Sequence, residues 1–369
     1  MIITGLSRMS WLFVIARNSS FTYKGRAVDV KEVGRELGVR YVLEGSLQKA
    51  ADRVRITAQL IDAATGAHLS ADRFDGRLEH IFDLQDQVTA CVVGAIAPRL
   101  EKAEITRARR KPSESLDAYD HYLRGLSCLY QWTKVAHSEA LAYFYKAIEL
   151  DPDFAAPYGV AARCYLLRMT NGWMADKQRE IAETARLCRR AAEQGKDDPV
   201  ALSMAGWALG RVVGDIDAAV SLVDRALALN PNLAMAWLAS GFVNILLGSG
   251  DEAVERLTHA MRLSPLDSQM PMMLVAMASA HFVAGRYQEA SAWAGKALAE
   301  QPGHGPAARM AVASHALAGY PDKTAQAMAR LREIDPALRI ADAADRFPFR
   351  RPQDTLRLIE GLRKAGVPE

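Results

Sequence analysis

From Arg53 to Leu60 the chain alternates without a break: Val54, Ile56, Ala58 and Leu60 are apolar, and Arg53, Arg55, Thr57 and Gln59 are polar. Successive side chains of a strand point to opposite faces, so this is the period of a strand with one face on a core and one in water. Tyr41–Gln48 and His68–Phe74 flank it, with Ala51-Asp52 and Thr65-Gly66 as turns, which predicts a three-stranded antiparallel meander. Ahead of it, Val30, Val33 and Leu37 share one helical face, with Asp29 and Glu32 as a reciprocal cap and Gly38 as the stop. The run Trp11–Ala16 reads as a strand covered on both faces. Met1–Leu6 reads as mid-helix with no cap before it, which predicts a further segment upstream. Ile81, Leu84, Val88, Val92 and Ala95 continue at helical spacing to Pro98, where a kink or interruption is expected. Residues 1–105 therefore read as a small α/β domain. Within it, Arg17-Asn18-Ser19-Ser20 is open to two readings: a polar loop that binds a phosphate or partner, or a turn whose side chains bond local backbone.

Residues 106–117 carry Arg107, Arg109, Arg110 and Lys111 before Pro112, a pattern of a solvated linker, with contact to an acidic partner as the alternative. Beyond them the pattern becomes helical and repeats. Trp237, Gly241, Ala253, Leu257, Ala260 and Pro265 follow at intervals of 4, 12, 4, 3 and 5 residues. The same tail recurs as Ala140, Phe144, Ala147 and Pro152, as Ala219, Val223, Ala226 and Pro231, and as Ala290, Ala294, Ala297 and Pro302. This is the pattern of the tetratricopeptide repeat, a helical hairpin of about 34 residues. An aromatic fills the space between paired helices, glycine and alanine allow close contact, and proline ends the second helix. Weaker first-helix marks occur at Tyr158, Ala161, Ala162 and Tyr165, and at Leu202, Ala205, Gly206 and Leu209. About six units are expected over 118–340, with inserted loops at Gln131–His137 and near 170–178. Phe347-Pro-Phe-Arg-Arg-Pro352 breaks helix, and Leu356, Ile359 and Leu362 then form the apolar face of a capping helix within 341–369. The fold class expected is a small α+β amino-terminal domain followed by an all-α solenoid.

Three segments occur in a recognisable order: Val14-Ile-Ala-Arg-Asn-Ser-Ser-Phe21, Val33-Gly-Arg-Glu-Leu-Gly-Val-Arg-Tyr-Val-Leu-Glu-Gly-Ser46 and Val54-Arg-Ile-Thr-Ala-Gln-Leu-Ile-Asp62. They resemble the TolB amino-terminal-like (FlgO-like) domain, which sits between an effector domain and tetratricopeptide repeats in bacterial class III adenylate or guanylate cyclases and winged-helix regulators. Domains of that family open with another apolar strand and an acidic loop. Neither is visible here, so the domain is expected to lack its first strand and, with an edge or apolar surface left unpaired, residues 1–110 are expected to be less stable than the solenoid or to pair with another chain.

Charge adds little to this picture. Lys and Arg number 46 against 43 for Asp and Glu, and the balance is even across the chain, so no field invites nucleic acid or anionic membrane. Cys91, Cys128, Cys164 and Cys188 make no C-x-x-C pair and read as reduced, buried thiols. No basic-then-apolar leader opens the chain, so a cytoplasmic protein is expected. No phosphate loop, nucleophile elbow, H-E-x-x-H pair or clustered histidines occurs, so no catalytic residue, cofactor or metal is assigned. What a solenoid offers is a concave surface of stacked first helices, on which a protein or peptide segment can lie. Repeat register makes Arg163, Trp207, Arg211, Leu238, Phe242 and Phe282 the candidate groove residues. The alternative for the four apolar ones is packing between repeats. The function expected is a protein-interaction module of a bacterial signalling protein, with self-association as a further possibility. Two rivals stand beside it: part of a cyclase or transcriptional regulator, and an envelope-associated assembly factor.

Overall fold

The computed structural model describes residues 28–77, 81–111, 116–265, 267 and 269–369, together with positions 3, 6, 12, 14, 15, 17–23 and 25. It divides into two units, Met1–Glu104 and Ile105–Glu369.

In the first unit, Asp29 caps helix α1 (Val30–Leu37) by accepting the Lys31 N–H, and Gly38 ends it in the left-handed region at φ 65°. Strands β1 (Tyr41–Ala50), β2 (Arg53–Asp62) and β3 (Ala67–Arg77) form an antiparallel sheet in the order β1-β2-β3. Ala51, at φ 53°, turns the first hairpin, and Ala50 opposes Arg53 across it. Helix α2 (Ile81–Arg110) covers one face, where Ile96 and Leu100 pack on Ala58 and Leu60, with Tyr41, Leu43, Ile56 and Phe74 around them. Polar anchors frame that core: the Tyr41 hydroxyl donates to Glu104 at 2.6 Å and Arg99 pairs with Asp72 at 2.5 Å. The other face is wet, carrying the Arg55–Asp75 pair at 2.7 Å and the Ser46–Thr57 hydrogen bond.

Helix α2 runs through Pro98 without interruption. Burial of Ile96 and Leu100 on the sheet outweighs the one backbone bond that a proline removes. The stretch expected as a linker begins inside this helix, and its basic residues are not simply solvated. Arg107 and Lys111 both pair with Asp120, which is fully buried, because the next helix brings that carboxylate to them. Arg17–Ser20 forms one helical turn, followed by a 3-10 turn at Phe21–Tyr23, in place of an open loop. Most of Met1–Leu6 and Trp11–Ala16 lies outside the described residues; Leu12, Val14 and Ile15 have no regular structure.

The second unit is a solenoid of helix pairs: α3 (Ala118–Leu129) with α4 (Lys134–Leu150), α5 (Ala155–Thr170) with α6 (Lys177–Gln194), and α7 (Pro199–Ala208) with α8 (Ile216–Leu229). There follow α9 (Ala234–Leu247) with α10 (Gly250–Leu263), α11 (Met270–Val283) with α12 (Tyr287–Glu300), and α13 (Gly305–Leu317) with α14 (Pro321–Ile334). One close contact recurs. A Cβ on Gly125 would meet Phe144 at 2.4 Å, one on Gly206 would meet Val223 at 2.8 Å, and one on Gly241 would meet Leu257 at 2.6 Å. In each, a first-helix glycine lets the apolar residue of the second helix approach its backbone. The flanking alanines of the recurring tails, Ala140, Ala147, Ala219, Ala226, Ala253, Ala260, Ala290 and Ala297, are fully buried. That is the tetratricopeptide hairpin, defined by its own contacts. The loop expected over Gln131–His137 is shorter than read, because Thr133 caps α4 by accepting the Ala136 N–H. Among the cysteines, Cys128, Cys164 and Cys188 are free and buried.

After the pairs come α15 (Ile340–Arg346) and α16 (Pro352–Lys364). Helix α16 buries Leu362 as expected, but its packed face is rotated away from Leu356. Asp354, Leu358, Gly361 and Leu362 are buried, whereas Leu356 points outward and is 64% exposed. Gly361 sets this rotation, since its backbone lies against Ala313 so closely that a Cβ would come within 2.8 Å of the Ala313 carbonyl oxygen.

Candidate functional site

First helices should line the concave side of a solenoid, and here they do so around a closed interior. Between α5 and α13 the superhelix turns far enough to bring early pairs against late ones. Arg163 Nη2 donates to Gln269 Oε1, Arg309 Nη2 donates to the Thr170 carbonyl at 2.5 Å, and the Trp132 and His304 rings lie 5.7 Å apart.

The chain's own segment Arg346–Arg351 fills this interior. The Phe347 ring sits under two guanidinium groups, Arg211 at 4.4 Å and Arg309 at 5.7 Å from its centroid. Phe349 is buried beside it, with ring centroids 6.0 Å apart. The Arg350 N–H donates to the Leu246 carbonyl at 2.8 Å, and its guanidinium reaches both Asp217 oxygens at 2.8 and 2.9 Å. Arg346 pairs with Asp335 at 2.5 Å, and Arg351 takes the space that a side chain on Gly248 would occupy. The Phe349 N–H turns back to the Phe347 carbonyl at 2.8 Å, so a tight turn over Pro348 is held by a backbone bond, aromatic anchors and charged ends, kinds of contact that also hold a bound peptide.

The six candidate residues divide between this site and the packing around it. Trp207, Arg211 and Phe242 line one cavity of about 30 Å³ with Leu166, Val275 and Phe347. Trp207 stacks on Phe242 with centroids 4.5 Å apart and planes 15° apart, and Arg163 lies 5.5 Å over the Trp207 ring. Leu238 and Phe282 are fully buried and line no part of it; Phe282 packs on Tyr287 at 5.3 Å. Arg211 sits in a π-turn, Leu209–Val213, closed by Gly214 at φ 86°. The wider turn carries its side chain inward, and such turns are frequent at functional positions.

Electrostatics in this interior are dominated by arginine. Arg309 and Arg346 share Asp335, and Arg163 has Gln269, with Asp267 nearby, its own carboxyl pushed up by burial. Arg211 differs. It is 7% exposed, and among the described residues its guanidinium has the Phe347 face but no hydrogen-bond or ion-pair partner. Burial, with a contribution from Arg309, lowers its pKa to about 9. Sequence reasoning missed Phe347, Arg309, Arg346 and Asp335. Their one visible signal was Phe347-Pro-Phe-Arg-Arg, which reads as a helix breaker until a groove is there to receive it.

Among the described residues no group of three His, Cys, Asp or Glu is placed to hold a metal, and no helix is long and apolar enough to cross a membrane.

These features define the class: a tetratricopeptide-type α-solenoid behind a small α+β unit. No family model matches the chain. A protein named "Putative adenylate cyclase 3" of Rhizobium meliloti (strain 1021) is 40% identical over 198 residues, 54% of this chain and 34% of that protein. "Transcriptional regulator HilA" of Salmonella paratyphi A (strain ATCC 9150 / SARB42) is 27% identical over 151 residues, 41% of this chain and 27% of that protein. The chain thus spans about a third of those relatives or less. Among solved structures, the type IV pilus biogenesis factor PilW overlaps 66% of this chain and 96% of its own at 17% identity and TM-score 0.43. YrrB, a tetratricopeptide protein with a peptide-binding site, overlaps 53% and 93% at 22% identity and TM-score 0.33.

Proposed function

We propose that the chain is a non-catalytic interaction and regulatory module of a bacterial signalling protein, working in the cytoplasm, which binds a partner segment in the solenoid interior through Trp207, Arg211 and Phe242. The observation that carries this reading is the interior's present occupant. An aromatic and basic segment without regular structure, Phe347–Arg351, already lies there with a backbone hydrogen bond to Leu246, so the interior has the chemistry of a peptide site. On this reading Leu238 and Phe282 brace the helices that carry the site, and Arg163 holds the Trp207 ring in place.

A second reading has a specific observation in its favour. The 40% identity to a protein named as an adenylate cyclase covers about half of this chain, which supports a role as the regulatory part of a cyclase-type protein. The TolB-like (FlgO-like) resemblance of residues 1–105 is consistent with that arrangement.

The test is recovery of partners from a bacterial lysate on the whole chain and on a Trp207→Ala, Arg211→Ala, Phe242→Ala variant with unchanged circular dichroism. A protein held by the first and released by the second is the expected result. Equal retention on both, or turnover of ATP or GTP by the purified chain, would refute the proposal.

A further inference from the structure

Arg211 poses a question that Phe347 answers only in part. A cation gains from an aromatic face, but a ring is no counter-charge for a guanidinium on a side chain only 7% exposed. Every other buried arginine of this interior has a polar partner: Arg163 has Gln269, Arg309 has Asp335 and the Thr170 carbonyl, and Arg346 has Asp335. Arg211 has a ring, and the charged group nearest in effect is Arg309, of the same sign.

The remaining lining of the cavity, Leu166, Leu246, Val275, Met272 and Pro306, is apolar, and the Thr170 and Ser279 hydroxyls are spent on their own helices. With Phe347 in place the space left is about 30 Å³, room for about two waters. A larger anion enters only if Phe347 leaves. Whatever replaces Phe347 must restore a buried ring among Trp207, Phe242 and the aliphatic lining, or forfeit that contact area.

Resting on the reading of the interior as a peptide site, we propose that the displacing occupant is a segment of a partner protein in which a carboxylate stands next to an aromatic residue. The ring takes the position of Phe347, and the carboxylate pairs with Arg211. Arg346–Arg351 is then a resident placeholder: it supplies the aromatic half of the recognition and withholds the anionic half. Its own charges are arginines, which fits a segment that must yield to an acidic competitor. On its outer side it is held by the exposed Arg350–Asp217 pair, a weak kind of contact, and by one backbone bond to Leu246.

The test uses the full chain and three fluorescein-labelled peptides: Gly-Asp-Phe-Pro-Phe-Asp-Gly, its Asn counterpart, and Arg-Phe-Pro-Phe-Arg-Arg. Binding is followed by anisotropy to the unaltered protein, to Phe347→Ala and to Phe347→Ala with Arg211→Gln. The expected result is at least tenfold tighter binding of the acidic peptide by Phe347→Ala than by the unaltered chain. It is also at least tenfold tighter than the Asn peptide, and Arg211→Gln abolishes that preference. If the Asn or the basic peptide binds Phe347→Ala as well as the acidic one, the carboxylate proposal is overturned while the interior remains a peptide site. If no peptide binds a folded Phe347→Ala, both readings fall. Should Phe347→Ala not fold, Arg350→Ala, which breaks only the exposed pair, carries the comparison among the three peptides: a preference for the acidic over the Asn peptide that Arg211→Gln abolishes supports the proposal, and equal binding of the two overturns it.

Discussion

His137 and His304 are buried in the second unit, and each has its pKa lowered to about 4, chiefly by burial, with Arg163 and Arg309 respectively adding to it. For His304 the cause of harm on protonation is visible: its Nδ1 accepts the Ala307 N–H at 3.2 Å and so caps α13. A charged imidazole has no lone pair there. Because the folded pKa lies below the usual 6.5, the unfolded chain binds the proton first. The stabilisation is complete above about pH 6.5 and is lost as pH falls toward 4. At about 1.4 kcal/mol per tenfold change in proton affinity, the loss is on the order of 3 kcal/mol for each histidine. Urea midpoints measured from pH 7 to pH 4.5 should fall steeply, and His304→Asn, which keeps a capping acceptor that does not titrate, should flatten the curve. An unchanged slope in that variant would mean that His304 is not the group responsible.

Helices in this chain differ in how tightly they hold their partners, and the glycines measure it. In Gly241→Ala a Cβ would come within 2.6 Å of Leu257, and overpacking of that kind costs about 1–3 kcal/mol. Gly295, in the middle of α12, has nothing within 4 Å, so Gly295→Ala should stabilise by about 0.5–1 kcal/mol through helix propensity alone. Paired denaturation curves read both signs at once, and destabilisation by both would contradict the packing described. The pair-internal contacts were legible in the sequence for the same reason that they repeat: Leu257 meets Gly241 across a short hairpin, with Ala253 and Ala260 buried beside it, and local spacing suffices to find them. The rotation of α16 was not legible. Leu356 and Ile359 look equivalent to Leu358 and Leu362 until the Gly361–Ala313 contact selects a face. Pro98 misled in the same way, since the sheet that outweighs it is formed by residues some distance earlier in the chain.

For the second unit as a whole, contacts such as Arg309 to Thr170 and Arg346 against Gly172 tie early pairs to late ones. An open solenoid couples nearest neighbours only; here single side chains also bridge the interior between early and late pairs. That bridging depends on the cumulative turn of successive pairs, a quantity no local pattern encodes, so half of the candidate site could be named from sequence and its occupant could not. The expected outcome is that amides of α5 and α13 exchange hydrogen with similar, strongly protected rates in a single cooperative opening. The first unit, whose β1 and β3 have no further strand beside them among the described residues, should exchange faster. Equal protection in both units would count against the unpaired edges as a source of weakness.

The distance along the chain between Thr170 and Phe347 has a consequence for biosynthesis. A ribosome adds roughly 5–20 residues per second, so the early pairs emerge on the order of 10–30 s before the segment that fills them. During that interval Trp207 and Arg211 lack the Phe347 ring that covers them in the finished fold. Emergence of the Phe347 segment is thus the step that fills the interior, and on the proposed reading a partner made at the same time and place would meet that interior before its resident segment does.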